Sequence, residues 1–176
     1  MLRIAIDMDE VIADVLPKFQ DLYFQKFGVE INPDDHYGKK IYQLPGALEI
    51  RNELYKPGFF ADLPVIEGAQ EGIRALQEHY EIYIVTAASE FRHSLGDKHD
   101  WLQEHFPSIH WKNMIFCGDK SIIRTDYMID DHAFNLETFQ GKGLLFTAHH
   151  NVEEKRFTRL NNWAEVTEFF RKEREA

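Results

Sequence analysis

The chain lacks the features that mark several large classes of protein. Its single cysteine, Cys117, excludes a disulfide within the chain and fits a reducing compartment. It has no apolar run of about 18 residues, so we expect no membrane-spanning helix. An acidic side chain appears as early as Asp7, so we expect no signal peptide at the amino terminus. These absences favour a cytoplasmic protein.

The chain has fewer basic than acidic residues, and it lacks the common glycine-rich nucleotide-binding motifs. The chain has 20 basic against 30 acidic residues, a formal net charge of −10, which argues against a nucleic-acid polymer or an acidic membrane surface as a partner. It does not exclude a small phosphate ester, because salt screens the field of the whole protein within roughly 8–10 Å. No Gly-x-x-x-x-Gly-Lys-Ser/Thr or Gly-x-Gly-x-x-Gly motif occurs, and the scattered histidines form no zinc motif.

The apolar residues instead indicate a globular domain of alternating strands and helices. They make up 44% of the 176 residues. Five short apolar segments are predicted strands: 2–7, 80–86, 113–118, 125–130 and 143–148. Helical spacing of apolar residues predicts helices over 67–79 and Leu160–Lys172. This alternation predicts an α/β fold with a parallel sheet covered by helices on both faces.

Two aspartates directly follow the first predicted strand. Asp7 and Asp9 are two residues apart, so on a strand they would project to the same side. Open α/β sheets bind their ligands at the carboxyl ends of strands. Two carboxylates in one cleft repel each other unless a cation or a shared proton relieves them. The pattern therefore fits a magnesium site with a carboxylate nucleophile, and it fits a solvated turn or a helix cap equally well.

Three further elements favour the first interpretation. Thr86 follows the second predicted strand, Lys98 opens a predicted helix over Lys98–Phe106, and the pair Asp130-Asp131 closes the fourth strand. Each is weak alone, because such residues commonly end strands, start helices or cap them. In this order along one chain they resemble the motifs of the haloacid dehalogenase (HAD) superfamily of phosphotransferases.

Residues 16–66 interrupt the alternation of strands and helices. Four aromatic residues occur there at helical spacing: Phe19, Tyr23, Phe24 and Phe27. A turn-rich stretch and a second predicted helical segment, Ala47–Tyr55, follow. Because the insertion comes just after the first aspartate pair, we expect a small helical cap over the site, the alternative being extra core packing. The predicted domains are a core of residues 1–15 and 67–176 and a cap of residues 16–66.

Longer matches narrow the resemblance to one branch of the superfamily. Ile6–Asp14 is similar to the signature Asp-Met-Asp-Gly-Val-Leu-Ala-Asp of the cytosolic and mitochondrial 5'(3')-deoxyribonucleotidases. Other segments match in order and spacing: Pro57–Phe60, Leu63-Pro64, Gly68-Ala69, Val85–Ala87, Lys98 with Trp101-Leu102, Gly118–Ser121, Ile129–Asp131 and Asn162-Trp163. The resemblance covers nearly the whole chain and is weakest over residues 28–55.

The resemblance implies a HAD-like Rossmannoid parallel sheet flanked by helices and a two-step hydrolysis of a phosphate monoester. Asp7 would attack phosphorus and become an aspartyl phosphate. Asp9 would protonate the leaving oxygen and then deprotonate the attacking water. Thr86, Ala87 and Lys98 would bind the phosphoryl group.

The implied cofactor is Mg²⁺. Its ligands would be Asp7, the backbone carbonyl of Asp9, and one carboxylate of the pair Asp130-Asp131. The family pattern favours Asp131 as the direct ligand, with Asp130 orienting it through Lys98 or water.

The implied substrate is a deoxynucleoside monophosphate, with pyrimidines preferred. Lys120 would add a second cation beside the phosphate, and three phenylalanines are candidates for stacking on the base: Phe19, Phe59 and Phe60. The nearest alternative is a HAD phosphatase for another small ester, such as a sugar phosphate. A phospho-accepting signalling domain fits less well, because there the acid pair comes first along the chain. A catalytically silent binding module would not need both Asp7 and Asp9. Either a monomer or a homodimer is expected.

Three residues depart from the family pattern. Glu10 stands where the signature has glycine, Val15 where the mammalian enzymes have an aromatic residue that helps to hold the base, and His132 where they have arginine. The first two bear on base preference and the third on how the substrate is anchored.

Overall fold

A computed structural model of the chain describes residues 1–175, with Pro33 described in its backbone alone. In this part of the chain six strands form one parallel sheet in the order β3-β2-β1-β4-β5-β6. Their bounds are β1 Arg3–Ile6, β2 Glu81–Ala87, β3 Met114–Cys117, β4 Tyr127–Asp130, β5 Lys142–Phe146 and β6 Thr158–Leu160. The predicted parallel α/β architecture is confirmed. Five strands were expected, and β6 is an addition whose three residues carry too short a pattern to predict.

Both faces of the sheet are buried, which explains why its strands read as continuous apolar runs. In β1 the side chains of Ile4 and Ile6 belong to one large apolar cluster and Ala5 to a second, and all three are fully buried. Alternate residues of a strand project to opposite faces. The apolar residues on either side of β1 therefore pack against different layers of the fold.

The helices of the described residues are α1 Leu16–Phe27, α2 Ala69–Gln77, α3 Ser94–His105, α4 Ala133–Thr138 and α5 Trp163–Glu175. The helix expected to open at Lys98 begins four residues earlier, at Ser94, so Lys98 lies in its second turn. Helix α5 begins three residues later than predicted because Leu160 ends β6. No helix among residues 1–175 has both the length and the apolarity needed to cross a membrane.

The inserted segment 16–66 contains α1 and three short 3₁₀ helices, Pro33–His36, Ile41–Gln43 and Leu48–Tyr55. The last of these occupies the predicted helical segment Ala47–Tyr55. The chain leaves and re-enters the core at the same place: Ala13 bridges Val65, and the amide of Asp14 donates to the carbonyl of Pro64 at 2.8 Å. This pairing supports a separate cap, and the division of the chain into core and cap stays a prediction.

Candidate active site

A tight turn after β1 carries the first aspartate pair. The carbonyl of Met8 accepts hydrogen bonds from the amides of Ile12 and Ala13, both at 2.9 Å. The turn forces Glu10 to a φ of +62°, the left-handed region that glycine adopts without strain. This backbone explains why the family signature has glycine at this position. Asp7 and Asp9 both line one cavity at the carboxyl end of the sheet.

Asp7, Asp130 and Asp131 form a compact carboxylate cluster. One oxygen from each lies within 4.8 Å of the others, and all three residues are buried. The cluster arises because β1 and β4 are neighbouring parallel strands, whose carboxyl ends meet at one edge of the sheet. Oxygen-rich sets of this kind suit a hard divalent cation such as Mg²⁺. The residues present therefore fit the metal that the sequence predicts.

Lys120 lies between two members of this cluster. Its ammonium contacts Asp7 Oδ1 at 2.6 Å and Asp130 Oδ2 at 2.7 Å, and the residue is 3% exposed. Burial raises the pKa of the Asp7 carboxyl, but the Lys120 ammonium outweighs it and the net shift is downward. Asp7 is therefore held ionised, the state that a nucleophile needs. From the sequence, Lys120 was expected to add a second positive charge to that of Lys98 beside the phosphate. In the structure Lys120 is the lysine in contact with Asp7.

Lys98 serves a different carboxylate. Its ammonium donates to Asp9 Oδ2 at 2.7 Å, to Thr86 Oγ1 at 2.9 Å and to the Ala87 carbonyl at 3.3 Å. It also lies 4.6 Å from the ring centre of Phe60, and its side chain is completely buried. The other oxygen of Asp9, Oδ1, is buried and has no hydrogen-bond partner in the described residues. Asp9 is thus held through one oxygen while the other is free of protein donors.

Asp130 was expected to orient Asp131 through Lys98 or through water, and among the described residues Lys98 makes no contact with Asp130. Asp130 is held by Lys120, by the side-chain amide of Asn135 at 3.0 and 3.1 Å, and by the backbone amide of His132 at 2.8 Å. Lys98 is occupied instead by Asp9, as its position in the second turn of α3 allows. Asn135 was missed because the short helix α4, which carries it, was not predicted.

The cavity has a volume of about 270 Å³ and is lined by both the core and the inserted segment. Phe19 and Phe60 line it, and their contact with a base stays a prediction. Phe59 is not among its lining residues. Its ring packs between those of Phe19 and Phe60, with centroid distances of 5.5 and 4.9 Å, and Lys18 lies over it. The three residues that depart from the family pattern also line the cavity: Glu10, Val15 and His132.

The site holds more carboxylates than its lysines neutralise. Burial raises the pKa of Asp131 well above its usual range; Lys40 opposes this shift, and the carboxylates of Asp7 and Asp130 add to it. Burial likewise raises the pKa of Glu10 to about 7. Buried carboxyl groups resist ionisation because they lose hydration, and the nearby lysines do not fully offset that cost. A divalent cation would favour their ionised form.

Two histidines border the carboxylate cluster. His132 Nδ1 and His150 Nε2 are 2.8 Å apart and lie 3.5 and 3.3 Å from Asp131 Oδ2. Burial, reinforced by Lys40, lowers the pKa of His132 to about 4 and that of His150 to about 2, so both rings are neutral near pH 7. His150 follows β5, which neighbours β4, and this adjacency is the signal that sequence reasoning did not use.

Solved structures with the same fold are HAD-like. A haloacid dehalogenase-like hydrolase from Streptococcus pneumoniae superposes with a TM-score of 0.61 and 15% identity, covering 97% of this chain and 98% of that one. A haloacid dehalogenase-like protein from Agrobacterium tumefaciens gives a TM-score of 0.62 and 12% identity, covering 98% of both chains. At this identity the likeness concerns the fold alone. The chain thus has the fold of the HAD-like hydrolases.

Sequence comparison identifies the branch. The family model described as 5' nucleotidase, deoxy (pyrimidine), cytosolic type C protein (NT5C) matches residues 1–175, and the chain belongs to this family of hydrolases. The 5'(3')-deoxyribonucleotidase of Bacillus subtilis is 39% identical over 170 residues, 93% of this chain and 95% of that protein. A relative from Staphylococcus epidermidis, provisionally given the same name, is 44% identical over 170 residues, 96% of this chain and 95% of its own. The resemblance drawn from the sequence is confirmed.

Proposed function

We propose that this protein is a cytoplasmic, Mg²⁺-dependent phosphomonoesterase that hydrolyses deoxynucleoside monophosphates through an aspartyl phosphate on Asp7. The observation that carries the proposal is the buried cluster of Asp7, Asp130 and Asp131 with Lys120 in contact with two of them. The cluster opens on a cavity of small-molecule size, on the wall of which Asp9 also lies. Membership of a nucleotidase family supports the substrate class, and the family description supports the cytosolic location.

The first step forms one bond and breaks another. A carboxylate oxygen of Asp7 attacks phosphorus, and the bond from phosphorus to the nucleoside oxygen breaks. The departing oxygen takes its proton from Asp9, which lies on the cavity wall. In the second step Asp9 removes a proton from water, which attacks phosphorus and frees Asp7 and inorganic phosphate. Lys98, 2.7 Å from Asp9 Oδ2, fixes the orientation of that carboxyl through both steps.

The phosphoryl oxygens are held from β2. The hydroxyl oxygen of Thr86 accepts a hydrogen bond from Lys98, so its own hydrogen remains free to be donated to phosphate. Ala87 lines the cavity, and its backbone amide is a second candidate donor. Lys120 offsets the combined charge of Asp7 and the phosphoryl group. Such positioning and charge compensation account for most of the catalysis in phosphoryl transfer.

The metal would be held by Asp7, the backbone carbonyl of Asp9 and the pair Asp130-Asp131, with Asp131 as the direct ligand. When bound, Mg²⁺ would neutralise charge on the phosphoryl oxygens and the carboxylates. Asp131 is preferred because its carboxyl is not in contact with a lysine, whereas that of Asp130 is taken up by Lys120 and Asn135.

The size of the cavity and the aromatic residues in its wall favour a small substrate with an aromatic base. Its volume of about 270 Å³ is close to the lower end of the range for small-ligand sites, roughly 300–1,000 Å³, and is too small for a polymer. We propose that residues 16–66 form the cap that roofs it, with Phe19 and Phe60 facing the base. Stacking on such a ring is worth roughly 1–3 kcal/mol per base. The family description names pyrimidines, and dUMP and dTMP are therefore the proposed substrates.

The test is kcat/KM with Mg²⁺ across deoxyribonucleotides, ribonucleotides, sugar phosphates and other small phosphate esters. A pyrimidine deoxynucleoside 5'-monophosphate should lead the panel. If a non-nucleotide exceeded every nucleotide by about tenfold or more, the nucleotidase assignment would fail and only the phosphatase chemistry would stand. Turnover that survived thorough chelation would remove the metal from the proposal.

A further inference from the structure

Asp131, His132 and His150 bring three ligand atoms to one point beside the carboxylate cluster. The edges of this triangle are 2.8 Å between the two ring nitrogens, 3.5 Å from His132 Nδ1 to Asp131 Oδ2, and 3.3 Å from His150 Nε2 to the same oxygen. The imidazole rings stand 75° apart, so the pair is not a stacked packing contact. Neither histidine has been given a role in the proposed hydrolysis.

Hydrogen bonding alone does not satisfy these three atoms. Protons on both ring nitrogens would set two donors against each other at 2.8 Å. With one proton between the nitrogens, each ring nitrogen is used by the other, and Asp131 Oδ2, at 3.3–3.5 Å from both, receives no proton from either ring. A cation at the centre would be bonded by all three lone pairs at once.

The triangle has the dimensions of one face of a tetrahedral metal site. Zinc ligands at about 2.0–2.1 Å from the ion are separated by about 3.3–3.4 Å in an ideal tetrahedron, and the observed edges are 2.8, 3.3 and 3.5 Å. An ion at that bond length from all three atoms would lie about 0.8 Å out of their plane, compared with about 0.7 Å in the ideal case. We propose that Asp131, His132 and His150 bind a Zn²⁺ ion, with water as the fourth ligand.

Hydrogen bonds fix the backbone of the proposed zinc ligands, and a cavity gives an ion access to them. The side-chain amide of Asn151 donates to the Asp131 carbonyl at 2.7 Å, and the His132 amide donates to Asp130 at 2.8 Å, which fixes the backbone of two ligands. A second cavity of about 420 Å³ reaches all three ligands from the side lined by Glu153. An ion therefore has a route that does not pass through the proposed nucleotide cavity.

The consequence for activity rests on the proposed function. Asp131 is shared between this triangle and the proposed Mg²⁺ ligands, so Zn²⁺ bound here would alter the carboxylate on which Mg²⁺ depends. Micromolar Zn²⁺ should therefore inhibit the Mg²⁺-dependent hydrolysis. The binding claim itself is independent of any reaction and is tested without substrate.

The experiment titrates the purified protein with Zn²⁺ by calorimetry, and with Co²⁺ by visible absorption, in excess Mg²⁺. The expected result is one Zn²⁺ per chain and a Co²⁺ spectrum of tetrahedral, nitrogen-containing coordination. His132→Asn and His150→Asn should each weaken binding by at least about tenfold, since losing even an outer-shell partner of a metal ligand costs 10–100-fold. His79→Asn, which changes an exposed histidine far along the sequence, should bind as the wild type does.

Circular dichroism and thermal unfolding without zinc establish that each variant is folded, and a variant that is not is replaced by the glutamine substitution. Three results would overturn the proposal: no Zn²⁺ bound by the wild type in excess Mg²⁺, binding unchanged in both histidine variants, or an octahedral Co²⁺ spectrum. The last would locate the ion at the carboxylates. None of these outcomes bears on whether the protein hydrolyses nucleotides, so failure here is distinguishable from failure of the proposed function.

Discussion

Replacing Glu10 with glutamine should stabilise the folded protein, and the gain should grow as the pH rises. Burial raises the pKa of Glu10 to about 7; Lys40 opposes the shift, and the carboxylates of Asp14 and Asp9 add to it. At intermediate pH the folded protein therefore keeps a proton that the unfolded chain has lost. Because the folded state then binds more protons, stability falls as the pH rises through this window.

The size of the effect follows from the two pKa values. The ordinary pKa of glutamate is 4.5 and the folded value is about 7. The contribution of Glu10 is fully present below about pH 4.5 and is lost as the pH passes the folded pKa. Integrated from pH 5 to pH 8, the loss is at most about 2.5 kcal/mol, at about 1.4 kcal/mol per pKa unit. Glutamine has no such proton, so the variant avoids the loss.

Urea unfolding at pH 5 and pH 8, in EDTA, measures this difference. The free energy of unfolding of Glu10→Gln relative to the wild type should rise by up to about 2.5 kcal/mol between the two values of pH. Glu10→Gly is the matched comparison and should show the same pH dependence. It also relieves the backbone strain at φ +62°, which should add about 1 kcal/mol of stability at both pH values. The greater conformational entropy of glycine in the unfolded chain offsets part of that gain. If Glu10→Gln differed from the wild type by the same amount at both pH values, the raised pKa of Glu10 in the folded protein would be refuted.

Three further predictions concern the catalytic set. Asp7→Asn removes the nucleophile at constant side-chain size and should lower kcat at least about 10²-fold; a loss under about tenfold would contradict the covalent mechanism. Lys120→Met leaves two buried carboxylates without their lysine and should cost about 3–5 kcal/mol of stability in urea unfolding. Lys98→Met removes the partner of Asp9 alone, whose side chain is 30% exposed, and should cost less; equal losses would refute this ranking of the lysines. EDTA should abolish activity and lower the Tm against a Mg²⁺-loaded sample, and an unchanged Tm would argue against a metal in the resting site.

The fold was readable from the sequence because a buried parallel sheet demands continuous apolar strands. Segments such as 80–86 carry enough β-branched and aromatic residues to be recognised alone. The strand Thr158–Leu160 has three residues, two of them polar, and pairs only along β5 at the edge of the sheet. The six-residue helix α4 is too short to show a helical period. Both elements are specified by tertiary contacts, which a local pattern does not contain.

Only part of the site could be predicted from the sequence, because some of its residues are placed by tertiary contacts. The aspartates and Thr86 stand at strand ends, and the carboxyl ends of parallel strands converge by the geometry of the fold alone. The lysines reach the site from α3 and from a short 3₁₀ helix, Lys120–Ile122, so their targets depend on where those elements dock. His150 lies near the site because β5 neighbours β4, and strand order is not written in any one segment. Spacing therefore predicted the acids and not the pairing of Lys98 and Lys120.

Asp9 offers the sharpest separation of proton transfer from metal binding. Its proposed metal contact is the backbone carbonyl, which Asp9→Asn leaves in place, while the change removes the carboxyl that Lys98 orients at 2.7 Å. The variant should therefore bind Mg²⁺ as the wild type does in calorimetry, yet lose roughly 10²–10⁴ in rate on a nucleotide. With p-nitrophenyl phosphate, whose leaving group departs without a proton, the first step should be much less affected. Equal losses on both substrates, or a matching loss of Mg²⁺ affinity, would make Asp9 a structural or metal residue, and the proton donor would then have to be sought elsewhere on the cavity wall.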